Sequence, residues 1–154
     1  GQHAMYQKME MYEQAIRVPL LMRGPGVKTQ EVDTCVSHLD VMPTLLELMG
    51  MALPDDLDGQ SLRQCVIGGR QPPQRPVFCQ YSGNPAIGDI RRAAVTSRFK
   101  YVYDPRDVPE LYDLQEDPHE TINLATDPSR RQTLEELHEA CRKWAEDHDD
   151  WVDF

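Results

Sequence analysis

Residues 93–114, AAVTSRFKYVYDPRDVPELYDL, carry the reading that decides the fold. Three short runs rich in aromatic and β-branched residues stand there, at Ala93 to Thr96, Phe99 to Tyr103 and Glu110 to Leu114. Only Ser97 and Arg98 separate the first two, which is room for a tight turn and nothing longer. Neighbouring strands joined so closely must run antiparallel. The stretch predicts an antiparallel meander. Its basic residues Arg91, Arg92, Arg98 and Lys100 are expected to be mainly solvated, with one of them able to reach a substrate anion.

Downstream, Asp127 and Pro128 read as the cap and first position of a helix. Leu134, Leu137, Cys141 and Trp144 then fall on one stripe, suited to packing across a small sheet. Beyond Glu146 the tail is acidic, and Trp151 and Phe154 can dock. Upstream, residues 68–88 are rich in Gly, Pro and Gln and read as loop, interrupted by a strand at Val77 to Gln80. Asp40 to Met49 reads as a helix, with Asp40 as its cap, Pro43 in its first turn and Gly50 at its end. Leu45, Leu46, Leu48 and Met49 would supply the apolar face. Val18 to Met22 is expected to be a buried strand ended by Arg23-Gly24-Pro25-Gly26, with a short strand at Thr34 to Val36. Residues 4–15 read as loop and short helix, from the spacing of Met5, Met9 and Tyr12.

Charge is unevenly placed. Residues 1–103 hold 11 Lys and Arg against 10 Asp and Glu, whereas residues 104–154 hold 5 against 16. The acidic C-terminal third argues against nucleic acid and anionic membrane as partners. The near-neutral first part can still receive an anion. No apolar run approaches the roughly 20 residues that a spanning helix needs. Cys35, Cys65, Cys79 and Cys141 are irregularly spaced with no C-x-x-C pair, an arrangement unlike a zinc site or a disulfide scaffold, although one bridge stays open.

The first 26 residues, GQHAMYQKMEMYEQAIRVPLLMRGPG, have the spacing G-x-H-x4-K-x3-Y-E-x3-R-V-P. In order along the chain follow V-S-H-L-D-V-M-P-T-L-L-E-L-M-G, L-D-G-x-S-L, F-K-Y-V-Y, E-L-Y-D-L and D-P-H-E-x-x-N-L-A. Taken together, these blocks (residues 1–26, 36–62, 91–103 and 110–125) resemble the C-terminal portion of the type I sulfatase family, within the alkaline-phosphatase-like superfamily. The resemblance implies an α/β protein, α+β as an isolated fragment. Residues 1–67 would end the catalytic sheet domain, residues 68–90 would connect, and residues 91–154 would form a small antiparallel sheet with a C-terminal helix.

The family hydrolyses sulfate esters, and the resemblance implies that Lys8 occupies its sulfate-contacting position. A compact ammonium with three donors suits that task, because charge grows on the ester oxygens in the transition state. His3 is the second catalytic candidate. It could assist the leaving oxygen, yet Gly-x-His-x-Met also resembles a cloning remnant, and both readings stand. Tyr12, Glu13 and Arg17 match the family's Y-E-x3-R and are expected to brace the lysine loop, Glu13 and Arg17 being a helical i,i+4 pair. His38 reads as a core residue or as part of the substrate pocket.

No metal ligand is assigned within the chain. A divalent cation, calcium by resemblance, and a formylglycine nucleophile are expected upstream of residue 1. The chain alone is therefore expected to be inactive, and to self-associate through exposed sheet or apolar faces. A phosphonate or phosphodiester hydrolase of the same superfamily is the competing enzyme reading, and a truncated non-catalytic module the competing non-enzyme one. Compartment is left open between cytoplasm and periplasm or secretion.

Overall fold

A computed structural model describes residues 2–4, 9–83 and 89–154. Two compact units are present, one of Gly1–Val18 with Phe78–Phe154 and the other of Pro19–Val77. The N-terminal segment thus groups with the C-terminal sheet.

The first unit is built on four strands in the order β1 (Val77–Ser82), β2 (Ile90–Val95), β3 (Phe99–Tyr103) and β4 (Glu110–Asp113). β2 and β3 pair antiparallel with Val95 opposite Lys100, and β3 and β4 do so with Lys100 opposite Tyr112. The predicted meander is there, with bounds shifted by a few residues at β2 and by one at β4. Alternation along β3 sends Phe99, Tyr101 and Tyr103 to one face and Lys100 and Val102 to the other.

The first face is covered by helix α4 (Arg131–Asp147), entered through a 3-10 turn at Pro128–Arg130. The Asp127 carboxylate accepts the Ser129 N–H at 2.9 Å, as a cap should. Leu137 and Cys141 from α4 close a core with Ala94, Tyr101 and Leu111. Burying a leucine of this kind contributes about 2 kcal/mol. Trp144 stacks on Phe78 at 5.3 Å and Phe154 on Tyr103 at 4.4 Å, so Phe154 docks, whereas Trp151 stays exposed.

The opposite face is not solvated. It is buried by residues 9–17, whose single helical turn is α1 (Glu13–Ile16) and whose Met11 is in the core. That corrects the expectation for the basic residues. Lys100 is fully buried, and Arg92 is buried with its guanidinium on the Asp150 carboxylate at 2.5 and 2.9 Å. Arg91 is half-buried among carboxylates, and Arg98 is the most exposed of the four, paired with Asp113 at 2.8 Å. A sheet covered on both faces leaves no solvated side, so each cation needs a partner carboxylate.

The second unit holds helices α2 (Val41–Leu48) and α3 (Arg63–Val66). The cap of α2 is displaced from the expected one. A 3-10 turn at His38–Asp40 precedes the helix, and Ser37 caps it by accepting the Leu39 N–H, while the Asp40 carboxylate accepts the Ser37 N–H at 2.8 Å. This reciprocal arrangement satisfies two orphan donors where Asp40 alone would satisfy one. Gly50, at φ 73°, ends the helix in the left-handed region where glycine is unstrained.

The strands expected at residues 18–22 and 34–36 are coil. A strand needs a ladder partner, and among the described residues none pairs with either segment. Leu21 is 93% exposed. Instead, Met22, Val27, Val32, Val36, Leu48 and Ile67 pack as side chains around Leu62, Cys65 and Val66. The apolar face expected of α2 is only partly covered, Leu45 and Met49 being exposed.

Candidate active site

Residues 2–4 form one 3-10 turn, in which His3 and Ala4 lie in the left-handed region at φ 53° and 56°. Non-glycine residues rarely adopt that conformation, and where it occurs it is often tied to function. The His3 ring stacks on Tyr12 with centroids 3.8 Å apart and planes 3° from parallel. Its Nε2 is buried and has no hydrogen-bond partner among the described residues. Lys8 lies outside the described residues.

Tyr12 immediately precedes α1, and its ring also meets Tyr112 at 6.1 Å. Burial, the first cause, pushes the Tyr12 phenol above its usual range, with the Glu110, Glu10 and Glu120 carboxylates acting in the same direction and the Tyr112 hydrogen bond opposing. Tyr112 is raised further by burial and by its bond to Glu110 at 2.9 Å. Both phenols therefore stay protonated near neutrality, and the Tyr112 hydroxyl donates to Glu110.

Glu13 is held by a partner that the sequence did not suggest. Arg17 is 81% exposed and its nearest nitrogen stands 3.9 Å from the Glu13 carboxylate, a separation that contributes little at a surface. The firm contact is with Lys100 on β3, whose Nζ lies 2.8 Å from Glu13 Oε1. The same ammonium donates to Glu120 Oε1 at 2.5 Å and to the Met11 carbonyl at 2.8 Å. All three lysine donors are thereby used. Glu120 Oε2 in turn accepts the Glu13 backbone N–H at 2.7 Å, which closes the ring.

Glu120 is itself buried and sits at φ 56°. The loop that aims it is fixed by Asp117, which accepts the Thr121 and Ile122 N–H groups at 2.6 and 2.8 Å. Asn123 adds a second tie by accepting the Leu111 N–H at 3.0 Å.

A further clamp holds residues 9 and 10. Arg91 reaches Glu10 at 3.0 Å, Asp89 at 2.9 Å and Asp104 at 3.6 Å, and donates to the Met9 carbonyl at 3.0 Å. Burial lifts the Glu10 carboxyl above its ordinary value despite the Arg91 charge. Lys100, Glu120 and Arg91 were thus missed as partners of the N-terminal segment. A signal existed: on β3, Lys100 alternates onto the same face as Val102, and a lysine on an otherwise apolar strand face implies a buried acceptor.

His38 belongs to the second unit and is exposed at the start of the 3-10 turn before α2, so it is not the core residue that was one of its two expected readings. Among the described residues no three His, Cys, Asp or Glu side chains converge as a cation site. Likewise no helix among them is long and apolar enough to cross a membrane. Cys65 and Cys141 are buried free thiols, and burial pushes the Cys141 thiol up to about 12.

The profile of the family described as N-sulphoglucosamine sulphohydrolase, C-terminal, matches residues 1–147. The chain belongs to this family. Mouse (Mus musculus) arylsulfatase K is 36% identical over 137 residues, 82% of this chain and 25% of that protein. The crystal structure of a putative sulfatase from Bacteroides thetaiotaomicron VPI-5482 superposes with a TM-score of 0.81 at 29% identity, over 94% of this chain and 32% of that one. A phosphonate monoester hydrolase from Silicibacter pomeroyi superposes with a TM-score of 0.72 at 26% identity, over 90% of this chain and 30% of that one. This sulfatase C-terminal chain therefore spans between a quarter and a third of the length of these relatives.

Proposed function

We propose that this chain is the C-terminal portion of an enzyme that hydrolyses sulfate esters, and that it contributes one wall of the sulfate site. The observation that carries the reading is His3, whose buried Nε2 has no partner among the described residues and sits in a strained backbone turn, and whose ring is stacked flat on Tyr12. A buried polar atom without a partner is costly unless a ligand or water completes it. Lys8, five residues on, would place an ammonium against the sulfate oxygens, where charge accumulates as the S–O bond to the leaving group breaks. His3 would give a hydrogen bond or a proton to the leaving alcohol oxygen. Tyr12 supports His3 through the ring stack, and Glu13 holds Tyr12 in register.

The nucleophile and a divalent cation, calcium by family resemblance, would supply attack at sulfur and polarisation of the sulfate. Among the described residues no cluster of His, Cys, Asp or Glu would hold that cation. The likeness to the S. pomeroyi phosphonate monoester hydrolase favours one alternative, hydrolysis of a phosphonate monoester by the same wall.

The test uses the intact protein with an aryl sulfate and an aryl phosphonate. Turnover should favour the sulfate, and Lys8→Ala should lower kcat by about 10²–10³-fold with little change in melting temperature. Lys8→Arg should rescue poorly, since a planar guanidinium does not put a point charge in the same space. Near wild-type turnover in Lys8→Ala removes the reading, and preference for the phosphonate replaces it with the alternative.

A further inference from the structure

Lys100 lies on a strand of the small sheet, yet every polar contact of its ammonium goes to residues 11, 13 and 120. A lysine with no exposure would usually be a liability, because an isolated buried charge costs several kcal/mol. Here each of its three donors meets an acceptor, two of them carboxylates. Three separate motifs converge on it: Y-E from the first residues, F-K-Y from β3 and D-P-H-E from the loop after β4. Nothing in the packing of β3 against α4 requires this cluster, since it sits on the opposite face. What the cluster does hold is the segment that carries Tyr12 and, through the ring stack, His3.

We propose that Lys100 is a positioning residue for the active site, acting with Glu120 to lock Glu13 so that Tyr12 presents His3 to the substrate. The proposal rests on the functional reading of His3 given above. Each link is short. Glu13 is gripped at both its carboxylate, by Lys100, and its backbone N–H, by Glu120. Tyr12 is the next residue, and its ring lies flat against the His3 imidazole. Glu120 is kept in the left-handed region, the type of backbone strain that persists only where the surroundings over-determine it. The loop bonds of Asp117 and Asn123 supply that determination. Arg91 secures the segment a second time at Met9 and Glu10, so releasing Lys100 loosens residues 11–17 without detaching the segment altogether. The C-terminal subdomain is thereby a template for the catalytic wall as well as a cover for it.

Lys100→Met in the intact protein tests this, with Lys100→Met/Glu120→Gln as a second variant that removes both fully buried charges. Amide exchange of residues 11–17 should quicken at least about tenfold while β3 and β4 keep their protection. On the better of the two ester substrates kcat should fall about 10- to 100-fold, the range expected when a catalytic group is misplaced by about 1 Å. KM should move much less. Lys143→Met, on the exposed side of α4, serves as the control and should change neither reading.

Unchanged exchange at residues 11–17 in a folded variant overturns the proposal. So does faster exchange with kcat intact, or loss of protection across β3 and β4 in both variants, which would make the cluster part of the core only. Absence of wild-type turnover on both esters fails the functional reading instead, and the exchange arm then still decides whether Lys100 holds the segment.

Discussion

Each unit has a fully buried charge at its centre, and the two are used differently. In the second unit, Asp40 accepts from the Ser37 N–H, the Gln60 N–H and the Arg75 guanidinium, at 2.8, 2.8 and 2.5 Å. Its own carbonyl accepts from the Thr44 hydroxyl, whose oxygen accepts the Leu62 N–H. These are loops fastened to the start of a helix, in a region with no sheet among its described residues. In the first unit, Lys100 sits in an already paired strand and reaches out to a segment far away in sequence. Asp40 replaces missing ladder hydrogen bonds, whereas Lys100 adds a distant segment to a complete sheet. The same physical requirement, that a buried charge be fully partnered, builds the frame in one case and attaches a functional element in the other.

Substituting Asp40 should give the largest effect. Asp40→Ala leaves two backbone donors and Arg75 without their acceptor and should cost about 3 kcal/mol. Urea unfolding of the intact protein measures it, and a cost below about 1 kcal/mol would mean that water replaces the carboxylate and that the second unit has some other frame.

Gly59 comes next. A Cβ there would stand 1.9 Å from the Leu39 carbonyl oxygen and 2.9 Å from the Asp40 nitrogen, so the L-D-G turn must move for any side chain. Gly59→Ala should destabilise by about 2 kcal/mol through forced backbone displacement, and should be sub-additive with Asp40→Ala because both loosen one contact. Full additivity in a double-mutant cycle would separate the turn from the Asp40 hub.

The smallest effect is expected at Asp150, which Arg92 holds below its ordinary 3.8, aided by the Val152 N–H and Gln80. Its folded pKa is depressed, so its contribution is fully present above the unfolded value and is lost as pH falls through the lower folded value. Protection of the C-terminal residues should stay flat from neutrality to about pH 4.5 and decline only below about 4. Asp150→Asn should flatten that decline. A loss already under way at pH 6 would point to a different group.

How much of this was legible in the sequence follows from the range of the interactions. The meander, α4 and its Asp127–Pro128 start are local patterns, each readable within a window of some twenty residues, and they are present much as expected. The strand expected at residues 18–22 failed because a run of apolar residues states only that side chains seek burial, and cannot say whether a ladder partner exists. The cap of α2 was misplaced by three residues because Ser37 and Asp40 work as a pair and only Asp40 was considered. At the candidate site, Tyr12 and Glu13 could be named from the family resemblance, but the expected Glu13–Arg17 pair is only a long, exposed contact at 3.9 Å. A helical i,i+4 rule sees only neighbours four residues away, and the true partners of Glu13 come from β3 and from the loop after β4.

That separation has a consequence for how the chain tolerates change. Lys100 and the Met11 carbonyl are 89 positions apart. Closing a loop of that length costs about 4 kcal/mol of chain entropy from the logarithmic term alone, yet doubling it would add only about 0.6 kcal/mol. The anchor is therefore nearly indifferent to the length of the loops between its ends. Loops between the two ends can lengthen, shorten or be rebuilt, while Glu13, Arg91 and β2 keep the grip on the N-terminal segment the same.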